Sequence, residues 1–153
     1  MAYPTVSAPY GFKPVNLIGG QVFAGSTREY PISYNYNTNI FYGDFVQLTN
    51  GYIAILANDI AGAAAVGVFL GCYYTNPTTK QRLYSQYYPA NVTAGDITAI
   101  VCDDPDTVFR VTVAAATTGT AIGSASSLLL GKNLGGNTAT GSLTTGNSLG
   151  ALI

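Results

Sequence analysis

Chemistry in this chain of 153 residues has to come from two cysteines, seven carboxylates and six cationic side chains, because histidine is absent. Without imidazole there is no Ser-His-Asp or Cys-His nucleophile and no imidazole metal ligand. Glu29 is the single glutamate, so an acid–base carboxylate pair would have to be built almost entirely from aspartates. Asp103, Asp104 and Asp106 form the one acidic cluster. A calcium loop of the EF-hand type needs a central glycine and a distant glutamate, and both are missing. A turn with Asp and Pro105 in favoured positions accounts for the cluster more simply. Gly131-Lys132-Asn133 fails as a phosphate loop, because Ser126 stands where a glycine is needed and Asn133 where Ser or Thr is needed. Gly119 to Gly123 has no strand–helix frame for a dinucleotide. Cys72 and Cys102 lie in strand-like apolar runs and are expected to be free buried thiols. No enzyme activity, cofactor or metal is expected.

Charge is scarce altogether. Only 8% of residues are charged, against about 25% in ordinary soluble domains. A folded monomer of this size exposes about 7,000 Å², which leaves about 550 Å² per charge. The net charge is −1 and the basic residues are scattered, so nucleic acid is not expected as a partner. The longest apolar run, Ala63 to Leu70, is broken by Gly67 and is far too short for a membrane helix. The Met1-Ala-Tyr-Pro start lacks the basic region and apolar core of a signal peptide, so a product made in the cytoplasm is expected. The twelve tyrosines, with no tryptophan, are the marked bias. Tyrosine has a large apolar face and one hydroxyl, which suits half-buried strands, subunit interfaces and, less often, sugar platforms.

The elements that would position these residues are strands. Good helix formers are few, while Thr, Val, Ile, Tyr, Asn and Gly are plentiful. Residues 1–24 read as an extended arm, punctuated by Pro4, Pro9 and Pro14; it is too apolar for a solvated tail and should dock on its own domain, a neighbouring subunit or another protein. Residues 25–115 carry the strand signals of a β-barrel core. Pro31 marks the strand around Arg28 to Tyr34 as an edge strand or a bulge. Phe45 to Thr49, Asn50-Gly51 and Tyr52 to Leu56 form a hairpin with a type I′ turn. Val66 to Tyr74 alternates, which predicts Val66, Val68, Leu70, Cys72 and Tyr74 on one face and Gly67, Phe69, Gly71 and Tyr73 on the other. Asn76-Pro77-Thr-Thr is a turn and Arg82 to Tyr88 a returning strand, gathering Tyr73, Tyr74, Tyr84, Tyr87 and Tyr88. Ile97 to Cys102 and Val108 to Val113 are expected to pair around the acidic turn. Residues 116–153 are rich in Thr, Gly, Ser and Ala around a Leu128-Leu129-Leu130 knot, and read as loops and short strands that complete the β-domain, with a last strand at Ala151-Leu152-Ile153. The fold class is all-β: a small antiparallel barrel, tulip-like module or sandwich with an extended N-terminal arm.

Several segments together resemble a known family. They are Ala8-Pro-Tyr-Gly-Phe-Lys-Pro-Val-Asn-Leu-Ile-Gly-Gly with Ala24-Gly-Ser-Thr-Arg, and Asn39-Ile-Phe-Tyr-Gly-Asp. They continue with Gly67-Val-Phe-Leu-Gly-Cys-Tyr-Tyr-Thr, Gln86-Tyr-Tyr-Pro-Ala, Asp103-Asp-Pro-Asp with Phe109, and Gly131-Lys-Asn with Gly136-Asn-Thr-Ala-Thr-Gly-Ser. The pattern is similar to the small head decoration, or cement, proteins of marine tailed bacteriophages, and it runs along most of the chain. The resemblance implies a β-rich module on the outer surface of an icosahedral head, bridging neighbouring major capsid subunits. Such proteins often gather as trimers at threefold positions, while others bind as dimers or monomers. Members tend to run beyond a stop such as Ile153, so a closing strand is expected from further along or from a neighbour.

On this reading the arm lies across a capsomer seam or a neighbouring subunit. Tyr10, Phe12 and Pro14 are the expected anchors, and Lys13 and Arg28 the charges that meet acidic capsid groups. Binding should depend weakly on salt, and deletion of residues 1–24 should leave the β-domain folded but weaken docking. The alternatives are a tail-tube or head-fibre component, which would polymerise alone, and a small glycan-binding β-barrel.

Overall fold

The computed structural model describes residues 10–56, 64–112, 136–137 and 141–152. The Leu128–Leu130 knot, the Gly131-Lys132-Asn133 segment, Pro4 and Pro9 lie outside the described residues. Strands and turns make up what is described, with no helix among the described residues. The strands are β1 (Lys13–Leu17), β2 (Arg28–Pro31), β3 (Phe45–Thr49), β4 (Tyr52–Ile55), β5 (Gly67–Thr75), β6 (Arg82–Ser85), β7 (Thr98–Cys102), β8 (Thr107–Arg110), β9 (Gly136–Asn137) and β10 (Ala151–Leu152). Every ladder between them is antiparallel.

The main sheet runs β2-β7-β5-β3-β4, and β6 shares with β3 one edge of the long strand β5. β3 takes Gly67 and Val68 of β5, and β6 takes Cys72 to Thr75. The sheet curls until β4 meets the end of β2 through one parallel bridge, Ile32 to Ile53, and among the described residues it does not close into a barrel. Pro31 explains why β2 is an edge: it has no N–H for a second ladder. The Asn50-Gly51 hairpin forms as its turn chemistry dictates, with φ of 52° and 83° at the two residues.

β5 departs from simple alternation. Its register against β7 slips between Phe69 and Gly71, which leaves Leu70 as a bulge. One extra residue turns the strand over. Phe69, Cys72 and Tyr74 therefore share the core face, and Val68 goes to the opposite face, against the expected grouping. Gly71 carries the kink at φ 146°, where an added Cβ would lie 3.0 Å from the Ser85 carbonyl oxygen. The core packs Phe69, Cys72, Tyr74, Val101 and Ala99 against Ile32, Ile40, Val46, Ile53, Tyr88 and Ile97.

The opposite face carries Phe45, Val68 and Cys102, which are neighbours in register. A two-stranded ribbon of β1 and β8 packs there through Phe12, whose ring centroid is 4.2 Å from that of Phe45 and 6.5 Å, edge-on, from that of Phe109. One expectation changes here, and the arm takes one of the docking sites open to it, its own domain. The chain turns at Asp103–Asp106, with Thr107 N–H donating to the Asp104 carbonyl, but β8 leaves β7 and pairs with β1 instead. The described part of the arm is thus a strand of the domain itself. At the C-terminal end Ala151–Leu152 is a strand, as expected, and pairs with Gly136–Asn137.

Three segments distant in sequence meet at Phe41-Tyr-Gly-Asp. Phe12 N–H donates to the Gly43 carbonyl, Tyr42 N–H to Gly146, and Ser148 N–H to Tyr42, at 3.1, 3.0 and 2.9 Å. Glycine is required at this crossing. A Cβ on Gly11 would lie 2.7 Å from Ser148 Cβ, and one on Gly43 would lie 2.8 Å from Phe12 N, with both residues at positive φ.

Candidate functional site

The five arm-proximal residues expected to bind a partner separate into four environments. Phe12 is 5% exposed and spent on internal packing, so a partner cannot use it as an anchor. Pro14 lies opposite Phe109 in the ribbon. Arg28 places Nε 3.3 Å from Asp103 Oδ2 and is already paired. That pair is exposed on the arginine side, which makes it worth at most about 1 kcal/mol. Asp103 Oδ2 also accepts the Tyr30 hydroxyl at 2.8 Å, and this bond first, then burial, pushes the Tyr30 phenol up. Asp104 accepts the Ser26 hydroxyl at 3.0 Å and the Asp106 N–H at 2.9 Å. The acidic cluster is thus a hydrogen-bonded turn.

Tyr10 and Lys13 stand together on the ribbon with a residue the sequence did not single out. The Lys13 ammonium lies 5.0 Å from the Tyr10 ring centroid and 5.9 Å from that of Tyr42, and the Arg110 guanidinium lies 5.6 Å from that of Tyr10. Lys13 and Arg110 are direct cross-strand partners. Like charges in that position repel, and Tyr10 offsets part of the repulsion through its ring face. Neither cation has a carboxylate partner among the described residues. Only the β1–β8 register brings them together, so the sequence carried no local signal for it.

A second cation–aromatic group lies on the outer face of β5 and β6. Tyr73 and Tyr84 are cross-strand partners with ring centroids 5.4 Å apart. Arg82 lies over both rings, 4.4 Å from the Tyr73 centroid and 5.9 Å from that of Tyr84. The Tyr73 hydroxyl donates to Glu29 Oε2 at 2.8 Å, which fixes its ring from β2. Tyr84 is 73% exposed and Leu83 beside it 37%. The hydroxyl and the N–H of Thr75 hold the Asp96 carboxylate below its ordinary range. The tyrosines expected to gather here divide by strand parity. Tyr73 and Tyr84 face out, Tyr74 and Tyr88 are buried, and Tyr87 stacks on Phe41 at 5.5 Å. Alternate spacing of Arg82 and Tyr84 on a strand returning past Tyr73 was the available signal for this group.

Two buried chemistries complete the inventory. Cys72 and Cys102 are free and buried, and burial pushes the Cys72 thiol up to about 12. Such a thiol is inert as a nucleophile near neutral pH. Asp44 is 2% exposed. Its Oδ2 accepts the Phe41 N–H at 2.8 Å, while Oδ1 has no hydrogen-bond partner. Burial raises its carboxyl above the ordinary range, against the nearby Ser148 hydroxyl and the Phe41 N–H, which lower it. A shallow cleft of about 290 Å³, lined by Ser33, Tyr36, Asn50, Tyr52 and Ile53, opens beside the β3–β4 turn. It is at the small end for a ligand pocket.

No family model, curated protein or solved structure matches this chain.

Proposed function

We propose that this protein is a non-enzymatic head decoration protein of a tailed bacteriophage, which binds the outer surface of the assembled capsid and bridges major capsid subunits. The sequence resemblance supports this reading, and so does one structural observation: the Tyr73–Arg82–Tyr84 group on strands β5 and β6. Tyrosine and arginine dominate binding hot spots. Here Arg82 and Tyr84 are exposed beside a half-buried Tyr73, Arg82 lies over both rings, and Glu29 holds the Tyr73 hydroxyl, so part of the side-chain freedom is already spent before docking. β6 pairs with β5 alone among the described strands, which leaves its outer edge open to a capsid loop or strand. A protein that binds the assembled shell and not its separate subunits stabilises the shell by mass action. The sparse charge fits a surface meant to be covered.

The test is to mix the purified protein with expanded capsids that lack it and to image the particles by cryo-electron microscopy. Density at regular lattice positions supports decoration, and Arg82→Ala with Tyr84→Ala should weaken occupancy at least about thirtyfold, the size of a single hot spot. Rods formed by the protein alone would make it a tube component. Binding to glycans without any capsid would make the Tyr84 face a sugar platform. Full occupancy by the double variant would move the docking surface elsewhere.

A further inference from the structure

We infer that the outer face of the β1–β8 ribbon is a two-fold interface with a second copy of this chain. Strand alternation places Val108 and Arg110 outward and Thr107 and Phe109 inward. Their register partners Asn16 and Lys13 share the outer face. Val15 protrudes at a bulge and is 54% exposed, and Val22, bridged to Asn16, is 80% exposed. Ile18, 66% exposed, is tied to Asp106 by its N–H at 2.8 Å. Exposed apolar side chains gathered on neighbouring strands in this way mark an interaction surface.

The ends of the face decide what covers it. One end carries Lys13 and Arg110; at the other, Asp106 is exposed in the turn that leads into β8, and none of the three makes an ion pair among the described residues. Arg110 and Asp106 are four residues apart, about 13 Å along a strand. Val108 is midway between them. A second copy turned by 180° about an axis crossing the ribbon at Val108 lays its Asp106 on Lys13 and Arg110 of the first, and its own cations on the first copy's Asp106. The apolar centres then meet. This is the self-complementarity that a closed two-fold contact requires. It also removes an oddity of the single chain, because a carboxylate from the partner neutralises the Lys13–Arg110 repulsion. Pairing through this face needs no capsid, and it leaves the Tyr84 face free.

The experiment is sedimentation of the protein alone. Wild type should run as a dimer, at twice the 15.9 kDa of one chain. Arg110→Glu and Asp106→Arg each juxtapose like charges twice across the two-fold axis, and each should weaken the dimer about hundredfold or more. Arg110→Glu also gives Lys13 an opposite charge within its own chain, so its thermal stability should not fall when both proteins are compared at a dilution where each is monomeric. An equimolar mixture of the two variants should form a heterodimer, because the carboxylate introduced at position 110 of one copy then faces the guanidinium introduced at position 106 of the other. A monomer or trimer for wild type at tens of micromolar, dimerisation undisturbed by either reversal, or a mixture that stays monomeric would each overturn the assignment.

Discussion

Replacing Asp44 by asparagine should leave the protein at least as stable at neutral pH, although the residue is among the most buried in the chain. The carboxylate is 2% exposed, holds the Phe41 N–H through Oδ2 and leaves Oδ1 unpartnered. A buried polar atom left unpaired costs about 1–3 kcal/mol, and more when the group is charged. In Asp44→Asn the amide oxygen can keep the Phe41 N–H, while the NH₂ replaces the orphan oxygen with a donor beside Ser148. Ser148 Oγ already accepts from Gly150 N–H at 2.8 Å and retains a second lone pair. The expected gain at pH 7 is about 1–2 kcal/mol, or roughly 2–8 °C in Tm. The pH dependence fixes the cause. Burial raises the Asp44 carboxyl in the folded state. The native state therefore holds this proton more tightly than the unfolded chain, and its stabilisation is complete below the unfolded pKa and lost as pH rises through the folded one. Asp96 has the opposite slope, since its carboxyl is held down by Thr75. The useful quantity is thus the difference between variant and wild type, in which Asp96 cancels. Urea unfolding from pH 3 to pH 8 should show the advantage of asparagine shrinking as pH falls and vanishing at the acid end. Asp44→Ala, which also strands the Phe41 N–H, should be the less stable variant throughout. An asparagine variant less stable than wild type by more than about 1 kcal/mol at every pH would show Asp44 to be a well-satisfied anion, and would refute the reasoning.

Two further outcomes follow from burial. Phe12→Ala should cost about 3–5 kcal/mol, because the ring joins Phe45 and Phe109. Deletion of residues 1–24 removes β1 as well and should lower Tm by more than that single substitution does, contrary to the behaviour of a detachable arm; calorimetry on both variants decides it. Cys72 should resist a thiol reagent at pH 8 in the native protein and react fully in denaturant, since burial holds its thiol at about 12; rapid native labelling would show that β5 opens.

What could be read from the sequence was what is decided within a few residues. Asn50-Gly51 demands positive φ twice, so the β3–β4 hairpin was legible, and Pro31 narrowed β2 to an edge or a bulge, of which the sheet shows the edge. The Leu70 bulge was not legible, because a strand with a bulge has the same composition as one without, and it reversed the expected facing of Val68 and Phe69. Pairing over long separations was equally hidden. β8 follows a turn that invites a hairpin with β7, yet Phe12 and Phe109 gain more by closing over Phe45. The candidate surfaces follow the same division. Tyr73 and Tyr84 belonged to a predicted local hairpin, whereas Lys13 and Arg110 become neighbours only through a register spanning most of the chain.

That span has a consequence for how the molecule is made. β1 leaves the ribosome among the first strands, but its partner β8 begins at Thr107, 90 residues after Leu17. At about 5–20 residues per second, β1 waits for roughly 5–18 s of synthesis before its ladder can form. Contacts of such long sequence separation are slow to close even afterwards. The central hairpins can assemble during the delay, and the ribbon is completed late. Its outer face therefore does not exist on a nascent chain, and half-made copies on one messenger have no finished surface with which to pair. For the two-fold contact proposed above, late closure would act as a clock that holds pairing back until the rest of the sheet has been synthesised.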